Sequence, residues 1–232
     1  MKKLVIVVAS KSTNEEKADF IQHISDTCGY PNDIVFNINP NGISLTKIYN
    51  DSMKERDGDY FIFLHDDIEF VRSGWGAEIV RLFEENKDYG IIGVAGSGEF
   101  EKEAAWWRYK DIYGQVMHRK DGKSWLTTFS PLLPCDLMNV CVVDGVFIAV
   151  AKDRITSYFK EEYEGFNFYE ISFCLQNYID GKTKIGVTTN VRLAHNSVGE
   201  LKPNWYENRE KLNKEFGKYF PIKTKHNVKI TR

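Results

Sequence analysis

The chain has 232 residues with 31 basic and 33 acidic side chains, a net charge of -2, which argues against a nucleic-acid surface built on excess positive charge. Apolar residues make up 42% and aromatics 14%, enough for a substantial core and unlike a disordered chain. The cysteines Cys28, Cys135, Cys141 and Cys174 show no CxxC spacing, so neither a zinc site nor a redox motif is expected, and reduced thiols in a cytoplasmic protein are.

Leu4 to Ala9 is a β-branched run that reads as a buried parallel strand and is too short for a signal peptide or a membrane span, so a soluble protein is expected. Ser12-Thr13-Asn14-Glu15-Glu16 supplies helix-capping residues, after which Phe20, Ile21, Ile24 and Cys28 recur at helical spacing. A short strand follows at Asp33 to Asn37. Gly42-Ile43-Ser44 then opens a helix with Leu45, Ile48, Tyr49 and Met53 on one face. Tyr60 to Leu64 is the third strand, Trp75 to Phe83 a helix, and Gly90 to Ala95 a fourth strand; this alternation predicts βαβ units and a parallel sheet.

From Gly96 the pattern changes. Tyr113 to His118 and Ser124 to Phe129 flank Lys120-Asp121-Gly122, a hairpin signal. Cys135 to Ala151 is apolar except at Asp144-Gly145, and Phe168 to Ile179 has helical periodicity. Short strands at Lys184 to Val187 and Val191 to Ala194 lead to His195, and Asn204 to Phe216 reads as a helix stopped by Pro221. With no repeat or linker, a single domain over 1–232 is expected. The locally positive stretch from Lys211 to Arg232 reads as a solvated helical face rather than a binding patch; no transmembrane segment is expected, which leaves room for peripheral contact with a membrane.

The chemistry concentrates at Tyr60-Phe61-Ile62-Phe63-Leu64-His65-Asp66-Asp67, where a buried strand ends in a histidine and two carboxylates. Ligands of open α/β sheets gather at such strand ends, and adjacent carboxylates repel unless a cation or proton lies between them. Asp66 and Asp67 therefore read as ligands for Mn2+ or Mg2+, against the plainer reading of helix caps. Glu170 opens the helix after Phe168, where the dipole favours an ionised carboxylate suited to a general base; a capping role competes. His195 ends a strand and is either a metal ligand or a hydrogen-bonded half-buried histidine. Asp144 beside Gly145 points into a cleft or ends a turn, and Trp106-Trp107 either stack on a sugar or underlie a loop.

In order, these segments resemble the family 2-like glycosyltransferases with a GT-A fold, closest to a bacterial subgroup with a His-Asp-Asp motif. The likeness runs through Val5 to Ser10, Gly42-Ile43-Ser44 with Tyr49-Asn50, and Gly58 to Asp67. It continues through Val143 to Ala149, Gly165 to Phe173, and Ala194-His195-Asn196-Ser197-Val198-Gly199 with Trp205. The resemblance implies one α/β domain: a Rossmann-like, mostly parallel sheet with helices on both faces and a smaller mixed sheet on the acceptor side. Its nucleotide-binding half would span 1–98, its acceptor half 99–200 and a helical tail 201–232. It implies an inverting, metal-dependent transfer of a hexosyl-type sugar from a nucleotide-sugar donor to a saccharide or lipid-linked saccharide, in surface polysaccharide or glycolipid synthesis. Ser10, Asn50, Asp66 and Asp67 would hold the donor, Asp67, Asp66 and His195 the metal, Glu170 and Asp144 the catalytic roles, and Trp106 and Trp107 the acceptor. His65 stands where the family carries its first aspartate, and Ser172 where relatives can carry an acid. These departures favour the rival reading, a non-catalytic nucleotide- or sugar-binding protein on the same scaffold. A nucleotidyltransferase ranks lower, because Ala9-Ser10-Lys11-Ser12-Thr13 is no glycine-rich basic loop.

Overall fold

The strand β1 (Leu4–Ser10) pairs in parallel with β2 (Asn32–Ile38) on one side and β3 (Tyr60–Leu64) on the other. The computed structural model of the protein describes residues 1–39, 42–129, 135–163, 165–197 and 203–224. The helices α1 (Ala18–Cys28) and α2 (Leu45–Glu55) make the two crossovers. The predicted capping residues pair with each other, Thr13 and Glu16 exchanging bonds between side chain and backbone N–H at 2.7 and 3.3 Å, but they close a turn ahead of α1, whose own N-cap, Lys17, makes no side-chain cap bond. The hydroxyl of Ser44 caps α2 by accepting the Lys47 N–H at 3.2 Å. After β3 come a short strand β4 (Ile68–Phe70) and α3 (Trp75–Glu85).

Both faces of the sheet are covered because side chains alternate along β3. Phe63 packs on Tyr49 of α2 at 4.3 Å between ring centroids, while Tyr60 stacks on Phe83 of α3 at 4.9 Å on the opposite face. All five residues of β3 are buried, which explains their continuous apolar run.

The rest of the chain adds β5 (Tyr89–Gly93), β6 (Ala95–Ser97), β7 (Glu99–Phe100), β8 (Ile112–Lys120), β9 (Lys123–Thr128), β10 (Met138–Val140), β11 (Val142–Val143) and β12 (Phe147–Ala151). It closes with α4 (Tyr169–Ile179), β13 (Lys184–Val187), β14 (Leu193–His195), α5 (Pro203–Phe216) and β15 (Ile222–Lys223). The large sheet has the order β10-β13-β5-β12-β3-β1-β2; five of its strands run the same way, with β12 inserted antiparallel between β3 and β5 and β10 antiparallel to β13 at one edge. A second, mixed sheet has the order β11-β6-β8-β14-β4, with β9 hairpinned onto β8. The expected single α/β architecture with a smaller mixed sheet is what the chain forms.

Three details go beyond the sequence expectation. The run from Gly90 to Ala95 is divided between the two sheets, and at its break Gly93 lies against Val143, whose Cβ would be 2.6 Å from a Cβ at that position. The apolar stretch from Cys135 to Ala151 supplies three short strands, with the expected interruption at Asp144-Gly145 falling between β11 and β12. The strand β4 was not anticipated. The hairpin is as expected, with Asp121 and Gly122 at φ of 51° and 72°, the left-handed pair of a tight turn. All four cysteines are free, three of them buried. Among the described residues no helix is long and apolar enough to cross a membrane. Val198-Gly199 of the last motif and the basic residues beyond Thr224 lie outside the described residues.

Candidate active site

Two strand ends bring the principal residues together. β3 delivers His65, and the chain then turns through Asp66 and Asp67 into β4. Antiparallel pairing of β4 with β14 sets His195 opposite Ile68, and the Asn196 N–H donates to the Asp67 carbonyl at 2.9 Å. His195 Nε2 consequently lies 3.2 Å from Asp67 Oδ1 and 3.4 Å from His65 Nδ1, with Ser197 Oγ 3.0 Å away. One ligand atom from each of His65, Asp67 and His195 falls within 4.8 Å of the others, a group able to hold a metal ion. Two imidazole nitrogens and a carboxylate oxygen fit a divalent transition ion such as Mn2+ better than Mg2+, which favours an all-oxygen shell.

Electrostatics within this cluster are set by mutual pairing. Burial works against the ionised form of Asp67, yet the hydrogen bond and positive character of His195 prevail and hold its carboxyl down to about 2. His195 is desolvated too, but Asp67 lifts its pKa above the ordinary imidazole value. Burial, and then repulsion from His195, depress His65.

Asp66 belongs to a different group. Its carboxylate accepts from the Ser10 hydroxyl and lies 3.4 Å from Lys17 Nζ, which also donates to the Asp66 carbonyl at 2.7 Å. Ser10 and Asp66 are thus brought together as expected, but Asp66 is turned away from the His65–Asp67–His195 group. Lys17, the residue just before α1, carries no sequence signal of its own, since nothing local distinguishes it from any other charged residue at a helix start. Asn50 is buried: its amide donates to Phe159 O at 2.9 Å and Glu161 Oε1 at 3.2 Å, and its oxygen accepts the Phe159 N–H at 3.0 Å.

Glu170 opens α4 and is 9% exposed, with Oε2 buried and lacking a partner. Burial, helped by repulsion from Asp144, raises its pKa to about 8, against the downward pull of the backbone N–H groups of Glu170 and Ile171. The expectation of an ionised Glu170 at neutral pH is corrected accordingly: desolvation outweighs the helix N-terminus. Ser172 is buried and its hydroxyl donates to Tyr169 O at 3.1 Å, inside its own helix. Asp144 accepts the Val146 N–H at 2.9 Å and sits in the turn before β12.

The paired tryptophans separate in role. Trp106 is 3% exposed and packs on Phe129 at 5.2 Å, whereas Trp107 is 37% exposed and faces Trp205 of α5 at 6.4 Å. Two residues that sequence reasoning passed over lie against the histidines. Phe166, 63% exposed, meets His65 edge-on at 5.7 Å, and Tyr169 reaches His65 Nε2 at 3.3 Å. The available signal was their place in the Gly165 to Phe173 segment that carries the family likeness, beside Glu170.

A family model described as a glycosyltransferase-like family matches residues 4–216. No curated protein matches the chain. Among solved structures, GalNAc-T7 with UDP, GalNAc and Mn2+ aligns over 95% of this chain and 49% of its own, at 12% identity and a TM-score of 0.53. The chain therefore spans about half the length of that relative. TarS of S. aureus, residues 1–349, aligns over 84% of this chain and 60% of its own, at 10% identity and a TM-score of 0.47. A197 from STIV covers 87% and 98%, at 12% identity and a TM-score of 0.42. The first of these shares the GT-A fold with this chain. Because the matched segment takes in every strand and helix from β1 to α5, the chain belongs to the glycosyltransferase-like family.

Proposed function

We propose that the protein transfers a sugar from a nucleotide-sugar donor to an acceptor hydroxyl, with inversion at the anomeric carbon. The observation that carries this reading is the convergence of His65, Asp67 and His195 at the strand ends, in a chain whose family is glycosyltransferase-like. The presence of UDP, GalNAc and Mn2+ in the GalNAc-T7 structure supports a nucleotide-sugar donor and a metal ion here. His65, Asp67 and His195 would hold Mn2+, which when bound offsets charge on the leaving diphosphate.

The donor lies across Ser10, Asp66 and Lys17, whose hydroxyl and ammonium groups offer hydrogen bonds to its polar end. Asn50 acts from beneath by fixing the backbone at Phe159. Glu170 accepts the acceptor's hydroxyl proton as that oxygen bonds to the anomeric carbon, and the bond from that carbon to the diphosphate breaks with its electron pair. Burial, helped by repulsion from Asp144, keeps Glu170 basic. Trp107 offers a stacking face to a saccharide or lipid-linked saccharide, with Trp106 beneath it at 6.0 Å. The reaction would serve surface polysaccharide or glycolipid synthesis in the bacterial cytoplasm.

Turnover measured on a panel of nucleotide sugars, with and without Mn2+, tests the reading. Robust turnover by both Asp67→Ala and Glu170→Ala would overturn it. One observation favours the alternative of a non-catalytic nucleotide- or sugar-binding protein: Glu170 is buried with one oxygen unpartnered, which disfavours its charged form, and Ser172 is bonded into its helix. Tight nucleotide-sugar binding by calorimetry without transfer to any acceptor would decide for it.

A further inference from the structure

The Tyr169 hydroxyl stands between two partners with unequal options. It donates to the Gly145 carbonyl at 3.0 Å, and a carbonyl oxygen can only accept. The phenol's single proton is thereby committed, so its oxygen can only accept from His65 Nε2, 3.3 Å away. From this chain of bonds we infer that Tyr169 is a positioning residue that fixes His65 as the Nε2–H tautomer, leaving the Nδ1 lone pair aimed at Asp67 and His195.

Several independent features point the same way. Tyr169 is fully buried, so no water competes for its hydroxyl, and its ring is held edge-on by Tyr49 at 6.1 Å. Gly145 is required by the arrangement, since a Cβ at that position would lie 2.3 Å from the Tyr169 hydroxyl oxygen. His65 itself is anchored at its backbone, with its N–H donating to Val146 O at 3.4 Å, one residue beyond Gly145. The Nδ1 atom faces the cluster, 3.4 Å from His195 Nε2. An imidazole ligates through an unprotonated nitrogen, and the hydrogen bond at the other nitrogen decides which one is free. Tyr169 also directly precedes Glu170, so one helix start orients the histidine and carries the candidate base. The inference rests on the metal reading only in saying what the free Nδ1 is for.

Nitrogen NMR of the full chain with labelled histidine, without added metal and at a pH about two units above the ordinary imidazole pKa, reads the tautomer directly. His65→Asn assigns the resonance. The expected result is an Nε2–H ring for His65, with Tyr169→Phe shifting it toward a mixture or toward Nδ1–H. An Nδ1–H ring in the unaltered protein, or a tautomer unmoved by Tyr169→Phe in a chain with an unchanged melting profile, would overturn the proposal. Gly145→Ala, which displaces the hydroxyl and keeps the phenol ring, should reproduce the shift. Binding of Mn2+ alone, followed by calorimetry, should weaken about 10- to 100-fold in Tyr169→Phe. A protein with the expected tautomer that binds no Mn2+ retires the metal reading and leaves the Tyr169 assignment standing. Equal Mn2+ affinity in the two proteins, despite an altered tautomer, overturns the assignment of Nδ1 as the ligand atom.

Discussion

The strand end at Asp67 and the helix start at Glu170 place the same functional group in opposite settings. Asp67 is half-exposed and paired with His195, and its carboxyl is held down to about 2. Glu170 is buried with one oxygen unpartnered and is pushed up to about 8. Where environments drive two carboxyls apart in this way, one is fitted to stay charged and the other to exchange a proton. The pairing partner matters more than depth: burial opposes ionisation at both, and only Asp67 has a cation-capable neighbour.

The sharpest way to break this comparison is Asp67→Ala, which should lower transfer by at least about 100-fold and abolish any Mn2+ dependence. Retained Mn2+ dependence would show that the converging group is not the metal site. Glu170→Gln should lower kcat by roughly 100- to 10,000-fold. In the unaltered protein kcat/KM should rise with pH through an apparent pKa of about 8, and that limb should vanish in the variant.

The same substitution carries a stability signature. The folded pKa of Glu170 is raised, so the unfolded chain loses its proton first. Stability then falls as pH rises from the ordinary glutamate value toward about 8, and levels off above it. Glu170→Gln should thus melt higher than the unaltered protein by a margin that widens from about pH 5 to pH 8, reaching several degrees. A margin constant in pH would mean that the carboxyl is not desolvated.

Smaller effects separate site from scaffold. Asn50→Ala removes both partners of the Phe159 backbone N–H and carbonyl, at a cost of about 1–3 kcal/mol in urea unfolding. Ser44→Ala removes the α2 cap, worth about 1 kcal/mol, and should leave Mn2+ binding untouched. Loss of Mn2+ binding in the second variant would show that the cluster responds to general destabilisation.

How much could be read from the chain alone follows from where the information lies. Elements whose signal is local were legible: β3 by its unbroken apolar run, α2 by its cap and stripe, the β8–β9 hairpin by Asp121-Gly122. Strand direction was not, because a strand buried on both faces reads alike either way; β12 is as apolar as β3 yet runs against it. The division of Gly90 to Ala95 occurs where Gly93 meets Val143, some fifty positions away, a contact no local pattern reveals. At the site, Asp67 and His195 stood out as polar residues ending apolar strands, and they do meet. Tyr169 and Phe166 did not stand out, because an aromatic in an apolar segment reads as core until its hydroxyl or edge is seen against a histidine. The state of Glu170 was misjudged since a sequence shows the helix start but not the depth at which it begins.

Phe168, the residue before α4, holds a left-handed backbone at φ 69°, a conformation that costs a bulky residue on the order of 1–2 kcal/mol. Its ring is almost wholly covered and lies 5.3 Å from Trp205 of α5. The last helix therefore acts as a keystone, since it bears on the turn from which Tyr169 and Glu170 are launched. A fragment cut before Pro203 would keep every residue of the proposed chemistry and lose the weight that seats two of them.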